Sequence, residues 1–320
     1  MKKILALVLS ILMICGVFAG CGSTAADNGK LNIVTTIFPI YDWVREIIGD
    51  NDNVNLTMLL DSGVDLHSFQ PTADDIVNIS TCDMFIYVGG ESDEWVEDAL
   101  KEATNKNMIA INLLDVLGDS VKEEEVKEGM EAEEGEESED EPEYDEHVWL
   151  SVKNAKVLCE YIAEQLGKID SADKNTFKSN TAAYTAQLDA LDKDYQAAVK
   201  QAAVKTLLFG DRFPFRYLVD DYGLDYYAAF VGCSAESEAS FETIVFLANK
   251  VDELHLKAIC KIESSDGKIA QTIKDNTKEK NQEIVTFDSM QSTTANQVKS
   301  GTTYLSVIKN NLESLKNALQ

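Results

Sequence analysis

Histidine is scarce in this chain, and two of its three copies lie where a functional loop is expected. His67 is found in "DLHSFQPTADD", where an apolar run gives way to a polar turn, and His147 is found in "DEHVWLS". A neutral imidazole can bind a divalent metal or transfer a proton. Either residue alone could equally be an ordinary loop or partly buried histidine. His255 ends a predicted helix, where a surface cation suits the helix dipole.

Acidic residues follow three apolar runs in the second half of the chain. Asp211, Glu263 and Asp288 each come directly after such a run. In open α/β sheets, ligands bind at the carboxyl ends of the strands. Two imidazoles and two carboxylates suit Zn²⁺ or Mn²⁺, and carboxylates shift the preference toward the harder ion. We therefore predict a divalent metal site between two lobes. Taken singly, Asp288 could cap a turn and Glu263 could bind backbone amides.

The elements that must position these residues alternate between strand and helix. This alternation predicts an α/β fold with two doubly wound, mostly parallel lobes. Strands are expected at 31–40, 54–61, 83–90 and 107–115 in the first lobe, and near 206–210, 225–232, 257–262 and 283–287 in the second. The inter-lobe cleft would then receive the residues that follow the strands.

A long helix is predicted to join the two lobes. Residues 172–202 have helical spacing and contain neither proline nor glycine. One helix of this length would extend roughly 45 Å. The resulting organisation is an N-terminal lobe at 31–170, a rigid linking helix at 171–202 and a C-terminal lobe at 203–320.

The charge of the chain is strongly negative and unevenly distributed. The formal net charge is -28, which argues against a nucleic-acid partner because phosphate binding needs a basic surface. Residues 123–146 contain fifteen acids and one lysine, without apolar periodicity. We predict a disordered acidic loop at 119–146 within the first lobe. It could simply solvate the surface, or it could capture cations weakly near the site.

The N-terminus has the composition of an export signal. Lys2 and Lys3 precede an apolar run that ends in small residues before Cys21. "VFAGC" resembles a bacterial lipoprotein box, although such boxes more often have leucine where Phe18 stands. The resemblance implies a signal peptide at 1–20, lipidation of Cys21, a tether at 21–30 and anchoring on the extracytoplasmic face of the cell membrane. Ordinary secretion is the alternative, and no later segment is apolar enough to span a bilayer.

Four cysteines remain after Cys21 in an exported and potentially oxidising setting. Cys82 and Cys159 lie among apolar residues and are expected to be buried free thiols. Cys233 and Cys260 are candidates for a disulfide if they face each other within the second lobe.

Several segments resemble, in collinear order, the metal-binding lipoproteins of bacterial ABC importers for zinc and manganese. They are "TTIFPIYDWVREI", "DLHSFQPTADD", "DEHVWLS", "RFPFRYLVDDYGLDY" and "VTFDSM". The resemblance covers the chain from about residue 31 to the end. It implies two α/β lobes, a metal site in the cleft, and delivery of the metal to a membrane permease and its ATPase. A monomer is expected.

The resemblance also implies a set of ligands. His67 and His147 match the first two, and Asp288 matches the last carboxylate. At the third position the family has His or Glu, whereas this chain has Arg212, which cannot coordinate a metal. Asp211 is predicted to substitute. Otherwise the remaining ligand is water, Glu263 or an acid of 234–238.

The predicted function is a solute-binding protein rather than an enzyme. The acidic loop lies where zinc-specific relatives often have a histidine- and acid-rich insertion, which favours zinc over manganese as the transported ion. A manganese-specific protein of the same class, a surface adhesin or structural lipoprotein, and a metallohydrolase are the alternatives. The chain has no HExxH motif, which argues against the hydrolase.

Overall fold

A computed structural model of the protein describes residues 29–131, 143–234 and 238–320. The predicted signal peptide, Cys21 and most of the predicted tether lie outside these residues. Residues Leu31–Gln320 form one compact unit. Within the described ranges, no helix combines the length and the apolar character needed to cross a membrane.

The first lobe is built on a four-stranded parallel sheet with the order β2-β1-β3-β4. Its strands are β1 (Leu31–Thr35), β2 (Val54–Met58), β3 (Met84–Tyr87) and β4 (Ile109–Asn112). The helices of this lobe are α1 (Phe38–Ile48), α2 (Ala73–Thr81), α3 (Trp95–Lys101), α4 (Leu113–Leu117) and α5 (Val152–Ile169). Parallel strands connected through helices bring all strand carboxyl ends to one edge of the sheet.

The second lobe repeats this plan with the strand order β6-β5-β7-β8, again all parallel. Its strands are β5 (Thr206–Arg212), β6 (Asp225–Phe230), β7 (Ala258–Ile262) and β8 (Glu283–Phe287). Its helices are α7 (Arg216–Tyr222), α8 (Phe241–Leu254), α9 (Lys268–Asn276), α10 (Ala295–Lys299) and α11 (Tyr304–Ala318). The predicted fold class, two parallel α/β lobes, is confirmed.

The long helix α6 (Lys174–Gln201) connects the lobes and packs along its length. Its buried side chains include Phe177, Leu188 and Tyr195, and they belong to a core that contains residues of both lobes. The Tyr195 hydroxyl also donates a hydrogen bond to the carbonyl of Ile308 in α11, at 2.7 Å. Helix α6 is therefore held in place by packing and by a hydrogen bond, and it does not project into solvent as an isolated linker.

The first strand is shorter than the sequence predicts. Apolar residues continue to Ile40, but β1 ends at Thr35 and α1 begins at Phe38. Pro39 occupies the first turn of α1, where a missing N–H costs nothing because that N–H would have no partner within the helix. The proline therefore ends the strand pattern and starts the helix.

Part of the acidic segment is ordered, which corrects the prediction of disorder for 119–131 and 143–146. The N–H of Glu131 donates to the carbonyl of Ala229 at 2.9 Å, and the N–H of Lys122 donates to the Tyr217 hydroxyl at 3.0 Å. Met130 packs against the core. Backbone pairing and a few apolar contacts hold this segment on the second lobe despite its charge. Residues 132–142 lie outside the described part of the chain.

Candidate metal centre

His67 lies in a short 3₁₀ turn, Leu66–Ser68, that follows β2. Asp65 caps this turn by accepting the backbone N–H of His67 at 3.2 Å, and the buried Leu66 anchors it. The ring Nδ1 of His67 is 2.7 Å from the hydroxyl of Ser92. These contacts orient the imidazole through its Nδ1, and its Nε2 points toward His147.

His147 is fully buried and precedes a second 3₁₀ turn, Val148–Leu150. Asp145 holds it twice, because Oδ1 accepts the backbone N–H at 2.8 Å and lies 2.9 Å from the ring Nδ1. The neighbouring Trp149 donates its indole N–H to the carbonyl of Ser289 at 2.8 Å, which ties this turn to the loop after β8. His147 is thus positioned by both lobes.

The two imidazoles meet through their Nε2 atoms, which are 3.2 Å apart. Two nitrogen ligands at about 2.0–2.1 Å from a tetrahedral Zn²⁺ would be roughly 3.3–3.4 Å apart. Burial, together with the nearby His147, lowers the pKa of His67 to about 3, so that this imidazole is neutral near pH 7. A neutral imidazole is the form that binds metal.

Gln291 bridges the two rings from the loop after β8. Its Nε2 is 2.9 Å from Nε2 of His67 and 2.5 Å from Nε2 of His147, and its Oε1 accepts the Ser289 hydroxyl at 3.1 Å. An amide NH₂ cannot be a metal ligand, whereas the amide oxygen can. A cation between the imidazoles therefore requires the Gln291 NH₂ group to move away from them, and a turn of the amide would place its oxygen there instead.

Cys233 lies beside the imidazole pair. One ligand atom from each of His67, His147 and Cys233 falls within 4.8 Å of the others. A Cβ at Gly232 would lie 3.1 Å from Cε1 of His147, so the chain passes close against that ring. Burial, then the nearby Glu124 and other carboxylates, raises the pKa of the Cys233 thiol well above its usual range.

The predicted disulfide between Cys233 and Cys260 is wrong, since both residues are free thiols. Cys260 is buried in β7, and β5 lies between β7 and β6, the strand that precedes Cys233. Adjacent strands are about 4.8 Å apart, so positions two strands apart are separated by more than the roughly 7 Å that a disulfide can span. Cys82 and Cys159 are buried free thiols, as predicted.

Asp211, the predicted third ligand, is not brought into the imidazole cluster. Its Oδ2 accepts the backbone N–H of Ile262 at 3.2 Å, and its Oδ1 accepts the N–H of Arg212 at 3.0 Å. Burial raises the pKa of this carboxyl, although the hydrogen bonds from Ser265 and Ile262 oppose that shift. Its carboxylate stabilises the junction between β5 and β7.

Glu263 and Asp288 lie close to each other and support the loop that carries Gln291. Glu263 accepts the N–H of Ser289 at 2.7 Å and its hydroxyl at 2.8 Å, and Asp288 accepts the N–H of Met290 at 2.8 Å. Burial and the charge of Asp288 raise the pKa of Glu263 to about 7. Neither carboxylate joins the described cluster of ligand atoms around the imidazoles.

Arg212 forms an ion pair with Asp65 across the cleft. Burial alone would raise the pKa of Asp65, but the Arg212 guanidinium overrides this and holds the pKa below its usual range. Because Asp65 also caps the turn of His67, the pair connects the second lobe directly to a residue of the centre. His255 is remote from this arrangement, at the exposed C-terminus of α8.

The sequence predicts both imidazoles as ligands, but it does not single out Gln291, and it indicates Cys233 only as a disulfide candidate. Cys233 follows β6 in "FVGCS", and Gln291 follows β8 in "FDSMQS". The rule that ligands gather at strand carboxyl ends would have found both residues if it had been applied to thiols and amides as well as to imidazoles and acids.

The chain combines two parallel α/β lobes with a pair of imidazoles whose Nε2 atoms are in contact. Residues 33–318 match the family ZnuA, described as "Zinc-uptake complex component A periplasmic". The chain belongs to this family. That description is of an uptake component and not of an enzyme.

Two curated relatives illustrate the similarity. The zinc-binding lipoprotein AdcA of Streptococcus pneumoniae serotype 4 is 33% identical over 318 residues, which are 99% of this chain and 61% of that protein. The high-affinity zinc uptake system protein ZnuA of Bacillus subtilis strain 168 is 29% identical over 308 residues, which are 95% of this chain and 92% of that protein. The chain thus spans about 61% of the length of the AdcA proteins that it matches.

Solved structures show the same fold. The Zn(II)-bound ZnuA-like domain of AdcA from Streptococcus pneumoniae is 30% identical, with a TM-score of 0.71 over 91% of this chain and 99% of that domain. The metal-dependent lipoprotein YcdH from Bacillus subtilis is 27% identical, with a TM-score of 0.74 over 91% of this chain and all of the other.

Proposed function

We propose that this protein captures Zn²⁺ outside the cytoplasm and delivers it to an ABC permease with its ATPase. One observation carries the proposal: Nε2 of His67 and Nε2 of His147 are 3.2 Å apart, in the cleft of a ZnuA-family fold. Ser92 and Asp145 contact the opposite ring nitrogens. A hydrogen bond at the second ring nitrogen is the usual way in which proteins orient a histidine that binds metal.

Zinc rather than manganese is the proposed cargo. The donors nearest to each other are imidazole nitrogens, and no carboxylate joins the cluster among the residues that the structure describes. Mn²⁺ favours carboxylate and water oxygens, whereas Zn²⁺ accepts imidazole readily. Both curated relatives named above are zinc-binding or zinc-uptake proteins.

The ligand set of this proposal begins with His67 and His147. Asp211, Glu263 and Asp288, also expected from the sequence, are assigned a supporting role because each carboxylate accepts at least one backbone N–H. Lipidation of Cys21 would hold a monomer at the extracytoplasmic face of the membrane, within reach of a permease. The lipoprotein-like sequence before Cys21 supports this anchoring.

A zinc titration of the protein tests the proposal. We expect one Zn²⁺ per chain in calorimetry, with a dissociation constant below about 1 µM. His67→Ala and His147→Ala should each weaken binding at least about 100-fold, while His255→Ala, a matched surface control, should leave it unchanged. Equal zinc binding in all four proteins would exclude the proposed site.

Delivery is tested separately from binding. The full chain, with its N-terminus, should restore growth in low zinc to a bacterium that has the permease and ATPase but lacks its zinc-binding component. The His67→Ala/His147→Ala double variant should not restore growth. Restoration by the double variant would contradict capture through the imidazoles.

A further inference from the structure

We propose that Cys233 supplies a thiolate as the third protein ligand of the bound metal and makes the site selective for Zn²⁺ over Mn²⁺. This inference rests on the proposed function and names a residue of the same site. It assigns Cys233 a role that the structure leaves open, because the residue has no disulfide partner.

The first support is geometric. The donor atoms of His67, His147 and Cys233 lie within 4.8 Å of one another. For a tetrahedral Zn²⁺ with bonds of about 2.0–2.1 Å to nitrogen and 2.3 Å to sulfur, the sulfur and nitrogen atoms would be roughly 3.6 Å apart. Donor atoms no more than 4.8 Å apart are within about 1.2 Å of that spacing.

The second support is the way in which the backbone places the thiol. Gly232 lets the chain after β6 pass against the His147 ring, since a Cβ there would be 3.1 Å from Cε1 and 3.2 Å from Nδ1. The N–H of Cys233 donates to the Glu124 carboxylate at 3.4 Å, which ties this loop to the ordered part of the acidic segment. The position of Cys233 near the imidazoles is thus set by Gly232 on one side and by the contact with Glu124 on the other.

The third support is that Asp211 and Arg212, which lie at the end of β5 in the same lobe, have other partners. Asp211 accepts N–H groups of Ile262 and Arg212, and the Arg212 guanidinium is paired with Asp65. The second lobe therefore offers the imidazoles a thiol from the loop after β6, and no carboxylate of the described residues lies in that cluster.

Binding of the metal to Cys233 releases one proton from the thiol. On binding, a Zn–S bond forms, the S–H bond breaks and the proton passes to solvent, without any change of oxidation state. The resulting set of two imidazoles and one thiolate suits Zn²⁺, Co²⁺ and Cd²⁺ better than Mn²⁺, which prefers oxygen. Gln291 can contribute its amide oxygen as a neutral fourth donor.

Cobalt spectroscopy of the unmodified protein tests the proposal directly. A Co²⁺–thiolate bond produces an intense charge-transfer band in the near ultraviolet that Co²⁺ bound only to nitrogen and oxygen lacks. We expect this band in the wild-type protein and in Cys260→Ala, a matched thiol control, and expect it to vanish in Cys233→Ser and Cys233→Ala. Co²⁺ binding without the band would overturn the inference and leave the proposed function standing.

Affinity measurements provide the second readout. Zn²⁺ should bind Cys233→Ser at least about 10-fold more weakly than wild type, whereas Mn²⁺ affinity should change by less than about 3-fold. Cys233→Asp should lower the ratio of zinc to manganese affinity, because it exchanges sulfur for oxygen. Thermal unfolding without added metal verifies that each variant folds. Unchanged zinc affinity in folded Cys233→Ser and Cys233→Ala would refute a ligand role for Cys233. If the wild-type protein binds no metal at all, the proposed function is refuted as well.

Discussion

Asp145 Oδ1 contacts His147 twice, at 2.9 Å from the ring Nδ1 and at 2.8 Å from the backbone nitrogen. A carboxylate in this position fixes the tautomer, orients Nε2 and makes it a stronger donor to metal. Asp145 is itself buried, so water does not weaken the contact. The orientation of His147 in the proposed zinc site thus depends on a buried neighbouring carboxylate.

Asp145→Ala should therefore weaken zinc binding by about 10- to 100-fold. Asp145→Asn should cost less, because the amide oxygen can still accept the Nδ1 proton. Competition titration with a chromogenic chelator measures both effects. Asp220→Asn, which alters a surface carboxylate paired with Lys122, is the control and should have no effect. Equal affinities for Asp145→Ala and wild type would show that His147 does not need this support.

Gln291→Glu should tighten zinc binding by at least about 10-fold, since a carboxylate would place a negative oxygen donor where the amide now faces both imidazoles. Gln291→Ala should not tighten it. Calorimetry at constant ionic strength measures the change, with Gln320→Glu as a control that adds the same charge at the exposed C-terminus. If Gln291→Glu binds zinc no better than the control, the amide does not face the bound ion.

The ion pair between Arg212 and Asp65 should stabilise the contact between the lobes. Both side chains are largely shielded from water, at 12% and 20% exposure, so loss of one partner leaves the other poorly compensated. In a double-mutant cycle of Arg212→Gln and Asp65→Asn, we expect a coupling of about 1–3 kcal/mol in the free energy of unfolding. Urea denaturation measures it. Strictly additive effects would mean that the pair contributes nothing to stability.

Asp42 should make stability depend on pH. Burial, only partly opposed by Arg45 and the N–H of Tyr304, raises its pKa from 3.8 to about 6 in the folded protein. The folded state then holds this proton more tightly than the unfolded state does. Its contribution is therefore complete below about pH 4 and is lost as the pH rises to about 6.

The comparison of wild type with Asp42→Asn isolates this contribution. From pH 4 to pH 6, the free energy of unfolding of wild type should fall relative to the variant by up to about 3 kcal/mol. Asp52→Asn, at an exposed position, is the control and should follow wild type. A constant difference between wild type and Asp42→Asn over this range would contradict the raised pKa.

The fold could be predicted because its signals are local and repeated. Apolar runs of strand length alternate with helical spacing, and helix caps such as Thr72 mark the boundaries. His67 and His147 could be placed for the same reason, since both belong to short motifs near strand ends. The boundary between β1 and α1 was missed because apolar character continues through Pro39 and hides the change of element.

The rest of the site depends on contacts between distant residues. The direction of the Asp211 carboxylate is decided by the N–H of Ile262 on a neighbouring strand, which its own segment does not reveal. The order in the acidic segment likewise depends on the pairing of Glu131 with Ala229, almost a hundred positions away. Cys233 lies shortly after β6, but in an exported chain a cysteine at this position also suits a disulfide, and only the distance to Cys260 across the sheet excludes that pairing.

Anomalous diffraction from crystals of the protein grown with Zn²⁺ tests the central claim most directly. Data collected above and below the zinc absorption edge locate the ion without reference to any assumed ligand. We predict one dominant peak between the imidazoles, about 2.0–2.1 Å from Nε2 of His67 and Nε2 of His147. A dominant peak on acidic residues elsewhere, with none between the two rings, would contradict the account.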